Sequence, residues 1–134
     1  MSHDSTHALT RNQQMVHSAL SGADKPLSAY EILDRLRADG FRAPPQVYRA
    51  LDRLVTLGLA HRLESLNAYV ACRHSCHAAH EDAVFAICDR CGEVAELEDK
   101  HLAADIGALA DRAGFALKAA SVELRGRCKD CRDA

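Results

Sequence analysis

Four of the chain's six cysteines fall in two C-x-x-C pairs. Cys88 and Cys91 stand in Cys88-Asp89-Arg90-Cys91-Gly92, and Cys128 and Cys131 in Cys128-Lys129-Asp130-Cys131. Two intervening residues let both sulfurs of a pair turn onto one ion, and Gly92 permits the tight bend that follows the first pair. Two such pairs supply four thiolates, the donor set of a closed tetrahedral zinc site. The 36 residues between Cys91 and Cys128 exceed what a simple zinc ribbon needs and have room for a strand, a helix and another strand. The ion would therefore tie together the two ends of a domain. The same cysteines admit two other chemistries. Paired disulfides require an oxidising compartment, to which nothing in the sequence points. A redox C-x-x-C would not call for a second pair at the far end of the domain.

A second concentration of donors lies in residues 73–82, Arg-His-Ser-Cys-His-Ala-Ala-His-Glu-Asp, which show neither helical nor strand period. His74, Cys76, His77, His80, Glu81 and Asp82 offer N, S and O ligands, so this linker reads either as part of a second metal site or as an ordinary polar loop.

The elements around these donors follow from period and punctuation. Thr10 with Gln13 and Ser28 with Glu31 are capping boxes. The first opens a helix with Met15, Val16, Ala19 and Leu20 on one face, stopped near Gly22. The second opens a helix with Ile32, Leu33 and Leu36, ended by Gly40. Pro44 and Pro45 start a third helix, whose stripe Val47, Leu51, Leu54, Val55 is expected to be buried. Leu59 to Leu63 and Ala68 to Cys72 read as a hairpin around residues 65–67. Three short helices and a hairpin are the plan of a winged helix-turn-helix, with the third helix in the major groove and the hairpin as wing. Tyr48, Arg49 and Arg53 fall outside the stripe, where they either meet DNA bases and phosphates or simply solvate the helix.

Beyond the linker, Val84 to Ile87 and Glu93 to Leu97 read as strands flanking the first C-x-x-C. Asp99 caps a helix with the stripe Leu102, Ile106, Leu109, Ala110, Ala113, ended by Gly114, and Phe115 to Arg125 reads as a long strand. The fold class is α+β. It comprises a winged helix-turn-helix DNA-binding domain (1–72), a metal-ligand-rich hinge (73–82) and a β-β-α-β dimerisation domain (83–134) holding a structural zinc on its four cysteines. A sheet covered by one helix leaves a face or edge open, so the second domain is expected to pair with a copy of itself, presenting two reading helices to a palindromic site.

Charge sharpens the division. The chain's net charge is −2, but residues 1–72 carry eight basic against seven acidic side chains, and residues 73–134 nine against twelve. A polyanion would meet the first half. Residues 1–12 lack an apolar signal core, and no apolar run reaches the ~18 residues of a membrane helix, so the expectation is a soluble cytoplasmic protein with no membrane partner. A redox enzyme would need a thioredoxin-like βαβ context, which is not visible. The protein is therefore not expected to be an enzyme or to have a small-molecule substrate. A zinc-ribbon adaptor would leave the winged helix unexplained.

The order of winged helix, His-rich hinge, C-x-x-C-G, helix and terminal C-x-x-C resembles the ferric uptake regulator (Fur) family of bacterial metal-sensing repressors. The resemblance runs from about Thr10 to Cys131. It is carried by Ser28-Ala29-Tyr30-Glu31-Ile32-Leu33, Pro45-Gln46-Val47-Tyr48-Arg49-Ala50-Leu51 and Ile87-Cys88-Asp89-Arg90-Cys91-Gly92. The wing, residues 61–72, is most similar to the zinc-sensing branch. The resemblance implies two zinc ions per chain. One is permanent, on the four cysteines; the other is regulatory, on His61, Cys72, His80 and Glu96, with Glu81, His77 and Cys76 as alternatives. Read alone, His61 is a wing-surface residue and Glu96 part of the acidic run 93–99. The resemblance further implies a dimer that binds double-stranded operator DNA and represses zinc-uptake genes when zinc is plentiful. A sensor of iron, manganese or peroxide is the alternative, against which the Cys72 thiolate argues. The chain departs from the family in having Gln13, with Arg11 nearby, where an Arg is common. It also ends three residues after Cys131, without the His/Cys tail of some relatives.

Overall fold

Backbone amides that a helix cannot satisfy internally set where the first helices begin. In the computed structural model, which describes residues 9–72, 82–118 and 120–133, the Thr10 hydroxyl accepts from the Gln13 amide at 3.1 Å. Gln13 returns the bond to the Thr10 amide at 3.0 Å. This box opens α1 (Arg11–Ser21). Ser28 and Glu31 form the same reciprocal pair at the start of α2 (Ala29–Leu36). A short 3₁₀ turn, Arg37–Asp39, follows α2 and ends on Gly40 at φ +101°. No hydroxyl stands before α3 (Pro44–Thr56). There the Gln46 side chain reaches back to accept from the amides of Arg42 and Ala43, and the prolines at its start have no amide to satisfy.

Two strands follow α3. β1 (Ala60–Leu63) and β2 (Ala68–Ala71) form an antiparallel hairpin in the register Ala60↔Ala71 to Leu63↔Ala68. Leu27, between α1 and α2, bridges to Tyr69 and so adds a third short segment to the hairpin. The core of this unit is made by Val16, Leu20, Ile32, Leu33, Val47, Leu51 and Leu54, all at 2% exposure or less. Three helices and a hairpin in this packing are a winged helix-turn-helix. Val55 is 39% exposed, contrary to the expected stripe, while Ala50 is buried. At 100° per residue the buried arc of α3 extends toward Ala50 and stops short of Val55.

The chain divides into two compact units, Met1–Ala79 and His80–Ala134. The second contains β3 (Asp82–Cys88), β4 (Val94–Leu97), α4 (Lys100–Arg112) and β5 (Ala120–Gly126). Its sheet has the order β4-β3-β5, with β3 antiparallel to β4 and parallel to β5. The Asp99 carboxylate caps α4 by accepting from His101 and Leu102. The long strand expected from Phe115 is shorter than the sequence suggests. The Phe115 amide still bonds to the Ala110 carbonyl at 2.9 Å, closing α4 across Gly114 at φ +68°. Phe115 thus belongs to the helix cap and not to β5. The α4 stripe also differs from expectation. Leu102, Ile106 and Ala110 are partly buried, but Leu109 and Ala113 are exposed, and no α4 residue is fully buried. Among the described residues, Leu97, Leu109, Phe115, Leu117 and Leu124 of this unit are exposed.

Replacing Leu51 with Ala removes a fully buried side chain from the first unit's core. The expected cost is about 2–5 kcal/mol of unfolding free energy, measured by urea denaturation followed by circular dichroism.

Candidate metal centres and nucleic-acid face

The parallel pairing of β3 with β5 brings the two C-x-x-C pairs together. Its register ends at Cys88↔Gly126, and the Asp89 amide extends it by bonding to the Gly126 carbonyl at 2.7 Å. Both strands therefore run out at the same end of the sheet, each into a tight turn. In the first turn the Gly92 amide donates to the Cys88 carbonyl at 3.0 Å, and Gly92 takes φ +79°. In the second, the amides of Cys131 and Arg132 donate to the Cys128 carbonyl at 3.0 and 2.8 Å. The four sulfurs all lie within 4.8 Å of one another. Cys91 Sγ and Cys128 Sγ are 3.8 Å apart. A tetrahedral ion with metal–sulfur distances of about 2.3 Å has sulfur–sulfur edges of about 3.8 Å, so the cluster has the size and donor set of a structural zinc site.

Electrostatics fit the same reading. The Cys91 amide donates to Cys88 Sγ at 3.4 Å. That amide first, then the amide of Cys128, holds the Cys88 thiol down to about 6. Cys131 is pushed up to about 12, chiefly by the neighbouring Cys128 thiol and by burial. At Cys91 the Glu93 amide favours the thiolate, but the Cys88 thiol and burial together outweigh it and the net shift is upward. One sulfur ionises readily; adding charge to its neighbours is costly without a cation between them. All four cysteines are free of disulfides.

A second set of donors sits on the wing. His61, on β1, is buried at 8% exposure, which corrects its reading as a surface residue. Cys72 continues the hairpin past β2, its amide donating to the Leu59 carbonyl at 3.0 Å. The ligand atoms of His61 and Cys72 lie within 4.8 Å of each other. Cys72 is disulfide-bonded in this structure, so a ligand role belongs to the reduced chain. Glu96 lies on β4 opposite Phe85 in the register. It is partly buried, whereas Glu93 and Glu98 of the same acidic run are exposed. His80, its alternatives His77 and Glu81, and Cys76, the alternative to Cys72, lie outside the described residues, as does the linker except Asp82, which opens β3.

On α3, Tyr48, Arg49 and Arg53 are all exposed on the side away from Val47, Leu51 and Leu54. Arg49 also lines a cleft of about 200 Å³ with Thr10, Asn12, Gln13 and Gln46, so the start of α1 and the start of α3 share one polar surface. One basic residue of this unit, Arg62 of β1, escaped the sequence reading; its only signal was a basic residue beside a turn.

No helix among the described residues is long and apolar enough to cross a membrane. Residues 6–125 match the family described as Ferric uptake regulator family. The chain is 41% identical over 124 residues to the zinc uptake regulation protein of Escherichia coli (strain K12), covering 92% of this chain and 72% of that one. Its identity to the zinc uptake regulation protein of Mycobacterium tuberculosis (strain ATCC 25618 / H37Rv) is 29% over 124 residues, covering 92% and 93%. Among solved structures it is similar to holo XcZur, with a TM-score of 0.84 and 42% identity over 94% of this chain and 87% of that chain. It is also similar to a zinc uptake regulator complexed with zinc and DNA, with a TM-score of 0.86 and 38% identity over 92% and 83%.

Replacing Cys128 with Ser leaves three sulfurs at the four-sulfur centre. The expected outcome is loss of the zinc that otherwise resists chelation, with unfolding of the second unit, read by metal analysis and thermal denaturation. A variant that keeps its metal content and melting temperature would refute the structural role.

Proposed function

This chain belongs to the ferric uptake regulator family, and we propose that within it the protein is a zinc-responsive transcriptional repressor that binds operator DNA as a dimer and controls zinc-uptake genes. The closeness of buried His61 to half-buried Cys72 at the base of the wing carries this reading. An imidazole and a thiolate that close together suit zinc over magnesium or calcium, and the thiolate argues against the iron, manganese or peroxide sensors that are the alternative. The relatives' own descriptions, as zinc uptake regulators and in one structure as a complex with zinc and DNA, support the same assignment.

In this proposal the reduced chain offers two centres. Cys88, Cys91, Cys128 and Cys131 hold a zinc that keeps the second unit folded. His61 and Cys72 from the first unit, with His80 and Glu96 from the second, hold the regulatory zinc. A bound zinc supplies only charge and fixed coordination here, with no chemical step. The protein's part is to draw the donors from both sides of residues 73–82, so that occupancy and the relation of the two units depend on each other. Moving a population from 1:99 to 99:1 requires the donors to favour the DNA-competent arrangement about 10⁴-fold, or about 5.5 kcal/mol. By linkage, operator DNA then tightens zinc binding by the same factor that zinc tightens DNA binding.

Tyr48, Arg49 and Arg53 are the proposed DNA contacts on α3, where a good bidentate base contact provides about 1–3 kcal/mol of discrimination. The exposed Leu97, Leu109, Phe115, Leu117 and Leu124 support self-pairing of the second unit, since self-pairing would take large apolar side chains out of water. Two reading helices would then face a palindromic operator. A cytoplasmic location and the absence of catalysis complete the proposal.

Titration in reductant tests the assignment. Metal analysis should give two zincs per chain, falling to one on mild chelation, with loss of zinc-dependent DNA binding at that step. Cys72→Ser should keep the dimer and the tightly held zinc but lose the zinc dependence of operator binding. If that variant still binds operator only with zinc, Cys72 is not a sensing ligand.

A further inference from the structure

The wing carries a basic side chain that is already oriented. Arg62 points outward from β1, between the buried His61 and Leu63. Its Nη2 donates to Asn67 Oδ1 at 3.2 Å across the hairpin turn, and its Nη1 lies 3.4 Å from Glu64 Oε2. Asn67 holds this position from a left-handed backbone at φ +51°, a conformation Asn tolerates better than other side chains bearing a Cβ. The Arg62 side chain nevertheless remains 45% exposed, and Glu64 is 76% exposed. A guanidinium has five N–H donors, and two neighbours leave others directed to solvent.

Arg62 is an exposed basic residue of the same unit as α3. It stands opposite Tyr69 in the hairpin register. Burial raises the Tyr69 hydroxyl, which in addition senses the charges of Arg62 and Asp52 and the hydroxyl of Tyr48. Tyr48 and Asp52 are exposed α3 residues next to Arg49 and Arg53. Tyr69 thus senses groups of both the wing and α3.

We propose that Arg62 is a DNA-backbone contact of the wing, held ready by Asn67 and restrained by Glu64. The inference rests on the proposed repressor reading and adds a residue and a restraint to it. A guanidinium fixed before binding loses less freedom when it meets a phosphate than a free one does. The phosphate must share or displace the Glu64 carboxylate, so Glu64 weakens DNA binding although it is itself no DNA contact. The contact is to phosphate because the wing guanidinium is a charge-assisted donor already engaged at two of its nitrogens, which leaves it short of the free fork that reads guanine.

The test uses the full-length, zinc-loaded, reduced protein and short duplexes of random sequence, with affinity measured across a range of salt concentrations. Arg62→Ala should weaken binding uniformly across sequences and lower the slope of log affinity against log salt by about 0.9 for each wing engaged. Arg62→Lys should restore the slope, because it keeps the charge. Glu64→Gln should tighten binding at low salt. An unchanged slope for Arg62→Ala, with weaker binding that Arg62→Lys fails to rescue, would show a purely structural arginine and overturn the proposal. Unchanged affinity of Glu64→Gln would overturn the restraint. A wild-type protein that binds no duplex in zinc would overturn the repressor reading together with this one.

Discussion

Four sulfurs held within 4.8 Å of one another are the constraint on which the second half of the molecule rests. A thiolate cluster of that density is self-repelling. The Cys88 thiol is drawn down by backbone amides while Cys131 is driven up by its neighbours, so the charges cannot be shared evenly without a cation. The backbone places the four cysteines side by side. β3 and β5 are parallel and end in step, and each turn is closed by amide bonds to the carbonyl of its first cysteine. The parallel ladder is thus a device for placing two knuckles side by side. An antiparallel pairing of the same strands would send them to opposite ends of the sheet.

The two units differ in how far they can support themselves. The first has a continuous apolar core from three helices and a hairpin, with capped helix starts and many side chains at or near zero exposure. Among its described residues the second buries little beyond Val84, Phe85, Ile87 and Cys88, all on one central strand. A unit of about 50 residues with so thin a core is in the size range where metals or self-association supply the missing stability. The four-sulfur centre answers one need. The proposed self-pairing, covering exposed side chains such as Leu109, Phe115 and Leu124, would answer the other.

Much of this was legible in the residues because the signals are local. Thr10 with Gln13, Ser28 with Glu31 and Asp99 before α4 each announce a cap, and each makes the bonds its residue types allow. The C-x-x-C pairs identify their own chemistry by spacing. What periodicity could not supply was the width and placement of the burial. Val55 fits the apolar pattern of α3 as well as Ala50 does, and only the neighbours decide that Ala50 is covered. Leu109 and Ala113 keep the period of α4, yet nothing in the described chain covers that half of the helix. Phe115 has the composition of a strand residue, but its amide is claimed by the α4 cap. His61 was the opposite case. A polar residue on a two-stranded wing reads as exposed, yet His61 is 8% exposed. Arg62 escaped notice because one arginine near a turn is ordinary until its partners are placed.

The division of labour between the proposed centres follows from where their donors stand. The four cysteines all belong to one unit, so loading that centre stabilises the unit without changing its relation to anything else. A site confined in this way is a poor sensor however tightly it binds, because it has no differential affinity for two arrangements of the chain. The donors proposed for regulation are recruited differently. In that proposal His61 and Cys72 would come from the wing of the unit that bears Tyr48, Arg49 and Arg53, and Glu96 from β4 of the other unit. A donor set split between units is intrinsically weaker, since part of its binding free energy goes into fixing their relation. In the proposal that coupling would be the signal, so the split centre would report zinc and the four-cysteine centre would keep its unit folded.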